Sequence, residues 1–477
     1  MRRTKIIASL GPATDNPQVL QQLFEAGVDI VRLNFSHADH EAMRERVKQI
    51  REVASAGNHI IAIMGDLQGP KIRIQRFSQG SIQLSHGDEF CLDASLGETD
   101  GNQDAVGIAY KELVDDVKPS DILLLNDGLI ELEVSKVEGQ KIHTKVIKGG
   151  ELSDRKGLNR KGGGISASAL TDQDKEDIKL AAELDLDYMA VSFVRDAADV
   201  NYARSLIREA GSKAGIISKI ERTEAVENLI EILDSSDAVM VARGDLGVEI
   251  GDAELPVVQK HIIKTARKRD CVVITATQMM ESMIYNPVPT RAEVMDVANA
   301  VIDGTDAVML SGETSVGKYP VETVQSMSEV CAGAEKHLNN LRSKSELNHD
   351  FNNVDEAIAM AAMYTANHLH VKAIVSLTES GSTARWLSRV SSGLPILALT
   401  RHPATTRKVK MYRGVYPVHY DVVHKQSRSI LGDALEFLKN TGKVEPGDLV
   451  VMTRGDLSGV AGGTNTLKIL QVPSFSL

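Results

Sequence analysis

The segment GIISKIE (215–221) sets Lys219 and Glu221 two residues apart. On an extended strand both side chains leave the same face. Other short apolar runs also end in polar residues. VDIVRLNFS closes on Arg32, Asn34 and Ser36, with His37 next. HIIAIMGDL ends at Asp66, AVMVARGDL at Arg243 and Asp245, VVITATQ at Thr275 and Thr277, and AVMLSGET at Ser311 and Glu313. Glu221 and Asp245, with waters and a substrate oxygen, form a donor set suited to a hard divalent cation such as Mg2+. Lys219, Arg32 and Arg73 are cations suited to a phosphoryl group. In ARGDLGVEIG, Gly244, Asp245 and Gly247 open a turn whose backbone N–H groups could bind a carboxylate or phosphate. Any one of these is equally a rim ion pair or a plain turn; the set converging on one mouth points to catalysis.

Two look-alikes fail. GETSVGKY (312–319) approaches a phosphate-binding loop, but Tyr319 stands where the metal-binding hydroxyl belongs and Pro320 follows. SHADH spaces His37 and His40 three apart without the further ligands of a zinc site.

Eight β-branched runs must position these residues: 4–11, 28–36, 59–67, 188–194, 215–221, 238–246, 272–278 and 307–314. Most are separated by helical periodicity, as in NPQVLQQLFEAG, DVNYARSLIREAG and TEAVENLIEILDSS. Near-continuously apolar strands alternating with helices predict a parallel sheet, and eight such units predict an α/β fold of (β/α)8 TIM-barrel type. The rhythm breaks between the third and fourth runs. There, GSIQLSHGDEFCLDA and DILLLNDGLIELEVSKVEGQKIHTKVI alternate apolar with polar residues between Gly and Asp turns, which predicts an inserted small β-barrel domain. EKHLNNLRSKSELNHDFNN (335–353) is poor in apolar residues and reads as a boundary. VKAIVSL, LPILALT and DLVVMT beyond it predict a further α/β domain. The expected domains are 1–69 with 169–337 (barrel), 70–168 (insert) and 338–477 (C-terminal).

Composition narrows the function. A net charge of −11 disfavours nucleic acid as a general partner. The apolar run after MRRTK is too short for a secretory segment, and no stretch approaches a membrane span, so a cytoplasmic protein with no membrane partner is expected. Cys91, Cys271 and Cys331 are widely spaced and form no CxxC, the pattern of inert thiols.

TKIIASLGPAT, VRLNFSH, ISKIE, ARGDLGVE, ATQMMESM, PTRAEVMDVANAV and MLSGET, in this order along the whole chain, resemble pyruvate kinase. The resemblance implies phosphoryl transfer from phosphoenolpyruvate to ADP, giving pyruvate and ATP, with Mg2+ or Mn2+. It places Arg32 and Arg73 on phosphates, Lys219 on the transferring phosphoryl group, and Glu221 and Asp245 on the metal. Thr277 falls beside the substrate carboxylate and the carbon that receives a proton, and the backbone of Gly244 and Asp245 holds that carboxylate. Asn34, Ser36 and His37 lie on the nucleotide and cation side, and Lys156 reaches nucleotide phosphates when the insert closes as a lid.

The chain departs from its relatives at DLQGPKIR (66–73). Many members of the family have Thr after the Asp and Glu where Lys71 stands, and bind potassium there. Leu67 has no hydroxyl and Lys71 brings its own charge, so an ammonium near Asn34, Ser36 and Asp66 would replace the ion and remove the potassium requirement. A second departure, KGLNRKGGGIS (156–166), leaves the lid geometry open between an altered site and a flexible hinge. In TESGSTARWL (378–387), Ser and Thr cluster where a strand meets a helix. By the resemblance, Thr378, Ser380, Ser382 and Thr383 would hold the phosphate of an allosteric effector, a sugar phosphate or AMP; capping alone is the plainer alternative. Such control fits the family's usual homotetramer. A Mg2+-dependent lyase on the same barrel and a non-catalytic phosphometabolite sensor are the competing functions.

Overall fold

The structure is a computed structural model that describes residues 1–37, 39–338, 351, 353–390, 392–421, 430–455 and 463–474. The eight apolar runs form short strands: β1 Lys5–Ser9, β2 Ile30–Asn34, β3 Ala62–Asp66, β4 Tyr188–Val191, β5 Gly215–Ile220, β6 Ala238–Ala242, β7 Val272–Ala276 and β8 Ala307–Leu310. β1, β3, β4, β6, β7 and β8 are buried at every residue, as befits strands covered on both faces. They close into a barrel in the order β1-β8-β7-β6-β5-β4-β3-β2. β5 and β6 run parallel with Lys219 opposite Met240.

Caps set the intervening helices where the sequence signals them. Asn16 accepts the Gln18 N–H at the start of Pro17–Ala26, and Gly27 ends that helix at φ +111°. Thr290 and Glu293 form a reciprocal capping box on Arg291–Asp303. TEAVENLIEILDSS gives two helices, Thr223–Glu227 and Leu229–Ser235, divided at Asn228.

The insert is all-β apart from one short helical turn. Strands Ser81–Leu84 and Gly150–Ser153 pair, and six more form a sheet ordered Leu158–Arg160, Ile122–Leu125, Ile130–Glu138, Lys141–Lys148, Glu89–Asp93, Ala105–Gly107. Their inward residues, among them Phe90, Leu125, Leu132 and Val146, share one apolar core. Towards the C-terminus follow β9 Ala373–Leu377, β10 Ile396–Thr400, β11 Val415–His419, β12 Leu449–Gly455 and β13 Thr464–Gln471, ordered β11-β10-β9-β12-β13 with β13 antiparallel. The sequence reading found β9, β10 and β12 but not the two edges. β11 contains Pro417 and only one fully buried residue, and β13 is largely exposed, so neither carries a buried-strand pattern.

Packing divides the chain into two compact units, one of 1–65, 184–188 and 266–477, the other of 66–183 and 189–265. In the first, Arg389 and Asp306 form a buried ion pair, with Arg389 Nη1 at 2.9 Å, and Lys5 Nζ donates to the Val415 carbonyl at 2.6 Å. The second carries the insert with β5 and β6. Cys271 and Cys331 are buried and Cys91 half-buried, all as free thiols. Among the described residues no helix is long and apolar enough to cross a membrane.

Candidate active site

A buried cluster of charge lies in the second unit, at the C-terminal end of β5. Lys219 Nζ stands 2.9 Å from Glu221 Oε1 and 3.3 Å from Asp66 Oδ1. The lysine side chain is only 13% exposed and both carboxylates are buried. Burial pushes the Glu221 carboxyl above its usual range; Lys219 opposes the shift and the negative charge of Asp245 adds to it. Glu221 Oε2 accepts the Phe193 N–H at 2.8 Å, and Oε1 faces the Lys219 ammonium at 2.9 Å.

Glu221 and the neighbouring carboxylate of Asp245 form an oxygen donor pair suited to a hard divalent cation. Among the described residues no group of three or more His, Cys, Asp or Glu side chains could hold a metal. Asp245 lies in the first turn of the helix Arg243–Ile250, with Gly244 before it, and the helix has no side-chain cap. Its dipole therefore favours an anion there.

A shallow open cleft is lined by Asp245, Lys71, Asp127, Phe193, Arg222 and Glu249 among others. Lys71 is exposed and has no ion pair among the described residues; its N–H donates to the Gly69 carbonyl at 2.9 Å. Gly69 holds φ +65°, and a Cβ there would stand 2.9 Å from Ser192 Cβ and 3.0 Å from the Phe193 ring. The Gly-Pro of DLQGPKIR thus lets the chain turn directly over the end of β4. Arg73 bridges to Gly157 and donates to the Arg155 carbonyl at 3.2 Å, while Ile74 N–H donates to Lys156 O. Arg73 and half-buried Lys156 therefore lie on paired segments at the root of the insert.

The departure at 156–166 has a physical reason. Gly162, Gly163 and Gly164 hold φ +81°, +78° and +90°. The Gly162 N–H donates to the Glu249 carbonyl at 3.2 Å, and the Gly164 N–H donates to Glu224. A Cβ on Gly163 would stand 2.7 Å from Glu224 Oε1. The glycines thus form a strap fastened to the helices after β5 and β6.

The remaining sequence candidates lie in the first unit. Arg32 is half-buried and donates to Ser9 Oγ at 2.9 Å, and exposed Asn34 accepts the Ser36 N–H at 3.2 Å. The His37 side chain lies outside the described residues. Thr277 and Gln278 hold φ +68° and +53° at the end of β7, a left-handed conformation that is rare for a β-branched residue such as Thr277. Thr275 and Glu313 do structural work instead: Thr275 bonds Thr305, and Glu313 accepts the N–H groups of Met280 and Ser311. Farther along, Thr378 Oγ1 accepts the Gly381 N–H at 2.9 Å, Ser380 and Ser382 lie in hydrogen-bond range, and Thr383 pairs with Thr464.

Sequence reasoning missed Ser192, just past β4. It is buried, donates to the Leu67 carbonyl at 2.8 Å and accepts from Lys219 Nζ at 2.7 Å. Nothing in YMAVSFV separates this hydroxyl from a core serine. Glu249 was also missed. It accepts the Thr223 N–H at 2.9 Å, and burial pushes its carboxyl up to about 7.

Comparison with known proteins follows the same organisation. Residues 1–324 match the family model "Pyruvate kinase, barrel domain" and residues 356–470 match "Pyruvate kinase, alpha/beta domain". Pyruvate kinase II of Salmonella typhimurium is 54% identical over 476 residues, covering 99% of each chain. The pyruvate kinase of Haemophilus influenzae is 50% identical over 461 residues, covering 95% of this chain and 96% of that one. The crystal structure of a pyruvate kinase from Cryptosporidium parvum superimposes with a TM-score of 0.92 at 36% identity, covering 99% of this chain and 96% of the other. A barrel and α/β domain matched in order, together with identity of one half or more across nearly the full length, show that this chain belongs to the pyruvate kinase family.

Proposed function

We propose that the chain makes pyruvate and ATP from phosphoenolpyruvate and ADP around the Lys219–Glu221–Asp245 cluster, without needing potassium. The family is one of phosphotransferases, which sets aside the lyase and sensor readings. The observation carrying the site assignment is Lys219 Nζ, held 2.9 Å from the buried Glu221 carboxylate, which in turn feels the charge of Asp245.

Glu221 and Asp245 would hold Mg2+ or Mn2+. When bound, the ion supplies countercharge to substrate oxygens. Lys219 lies against the transferring phosphoryl group and neutralises the charge on its equatorial oxygens as the bond from phosphorus to the enol oxygen breaks and an ADP oxygen attacks. Arg32 and Arg73 are the cations for the phosphates. The first-turn backbone of Gly244 and Asp245 takes the substrate carboxylate, with the helix dipole in its favour. Thr277 stands beside the carbon that gains a proton once the phosphoryl group has left; its strained φ supports a functional placement. Asn34, His37 and Lys156 attend the nucleotide, and the insert excludes water by closing.

Lys71 acts as the internal monovalent cation of the Asn34, Ser36 and Asp66 region. Buried Leu67, which can offer no side-chain oxygen, supports this. The turn at Thr378, Ser380, Ser382 and Thr383 takes the phosphate of a sugar phosphate or AMP effector, in a homotetramer. Gly381 at φ +86° and the helix beginning at Ser382 support an anion there.

Pyruvate formation from phosphoenolpyruvate, ADP and Mg2+ in buffer free of potassium and sodium tests both claims. Full turnover before any KCl is added is expected. Turnover that appears only with KCl overturns the Lys71 role, and no pyruvate under either condition overturns the whole assignment.

A further inference from the structure

From the turn after β4 we infer that Ser192 is a positioning residue for Lys219, setting its ammonium for phosphoryl transfer. This rests on the role proposed above for Lys219. A lysine side chain has four rotatable bonds and a compact head that bonds in any direction. Glu221 Oε1 and Asp66 Oδ1 attract it at 2.9 and 3.3 Å. Ser192 Oγ accepts a hydrogen bond from it at 2.7 Å, the shortest of the three contacts.

The polarity of that bond is fixed. A serine hydroxyl has one proton, and Ser192 donates it to the Leu67 carbonyl at 2.8 Å. Carbonyls cannot donate, so towards Lys219 the hydroxyl can only accept. Ser192 itself has little room to move: it is 1% exposed, and the Gly69 turn packs on it so closely that even a Cβ would collide. The next residue, Phe193, carries a left-handed φ of +54° that aims its N–H at Glu221 Oε2. Such strain persists in a non-glycine residue only where its surroundings hold it. One turn thus fixes both the transferring cation and a carboxylate of the metal pair.

The test is steady-state kinetics of Ser192→Ala, Ser192→Cys, Lys219→Met and the double variant Ser192→Ala/Lys219→Met, each first shown to be folded by thermal melting. Ser192→Ala is expected to lower kcat about 10- to 100-fold while moving the KM for phosphoenolpyruvate less than about threefold, the signature of a contact that matters in the transition state. Ser192→Cys, which keeps the shape with a weaker acceptor, is expected to fall between, and stands in if the alanine variant does not fold. In the Lys219→Met background, Ser192→Ala should cost less than about twofold, because its effect passes through the missing ammonium.

A normal kcat for Ser192→Ala beside an inactive Lys219→Met overturns this inference and leaves the Lys219 reading standing. An equal loss in both backgrounds also overturns it, since the serine would then act independently of the lysine. Near-normal turnover by Lys219→Met overturns the underlying reading instead.

Discussion

Replacing Lys219 by Met is expected to cut turnover by about three decades and to leave substrate affinity nearly intact. The size follows from the setting. Nζ lies 2.9 and 3.3 Å from two buried carboxylates, and its side chain is 13% exposed, so it works in a medium well below the dielectric of water. At an effective dielectric of about 20, a cation about 4 Å from a unit negative charge gains about 4 kcal/mol. At about 1.4 kcal/mol per decade that is about three decades, if the charge meets the lysine mainly in the transition state. Cations placed on a transferring phosphoryl group elsewhere contribute about 10^3- to 10^5-fold. Ground-state binding is shared with arginines and the metal carboxylates, so the KM for phosphoenolpyruvate should move less than about fivefold. Lys219→Arg should be nearly as poor, because a planar fork cannot reproduce contacts made by a compact ammonium. The assay is pyruvate production at saturating Mg2+, with a melting curve for each variant. A Lys219→Met kcat within tenfold of the parent would refute the reasoning.

Three further outcomes are expected. Glu221→Gln should raise the Mg2+ concentration needed for half-maximal rate by at least about tenfold, with maximal rate partly regained at high Mn2+; an unchanged metal titration would remove Glu221 from the metal site. Lys71→Glu should create a potassium requirement, seen as a stimulation of at least about tenfold by KCl that the parent lacks. A variant as indifferent to KCl as the parent would end the internal-cation account. Glu249→Gln should be more stable than the parent at pH 8 and nearly equal to it at pH 5, by thermal melting. Here the folded-state pKa of about 7 lies above the ordinary 4.5, so the native state holds its proton more tightly. The ionised carboxylate costs stability progressively as pH rises from about 4.5 to 7, and the neutral amide avoids that cost. A stability gap that does not change with pH would contradict it.

The barrel and its charged strand ends were legible because both rest on short-range pattern. A fully buried strand writes itself as a run of β-branched residues, and a polar residue at its end stands out against that run. Lys219 and Glu221 share a face because strand periodicity is two. The eight strands, the insert and three of the five C-terminal strands follow from that kind of local rule. The two unread strands lie at sheet edges, where Pro417 and half-exposed residues weaken the pattern. The three glycines at 162–164 were visible as an oddity, but their purpose is set by Glu224 and Glu249, some sixty to ninety residues away.

Ser192 shows where local reading stops. Its two partners lie 125 and 27 residues away in sequence, and one of them is a backbone carbonyl, which carries no residue signature at all. The strain that steadies it belongs to its neighbour Phe193, an ordinary core residue by composition. A catalytic lysine announces itself as a buried charge that needs an explanation. The neutral hydroxyl that aims it does not, because burying a hydroxyl that both donates and accepts asks nothing more of its surroundings. Satisfied polar groups beside a functional charge are therefore where structure adds most to sequence. In this chain the turn after β4 joins two such contacts, one through the side chain of Ser192 and one through the backbone of Phe193.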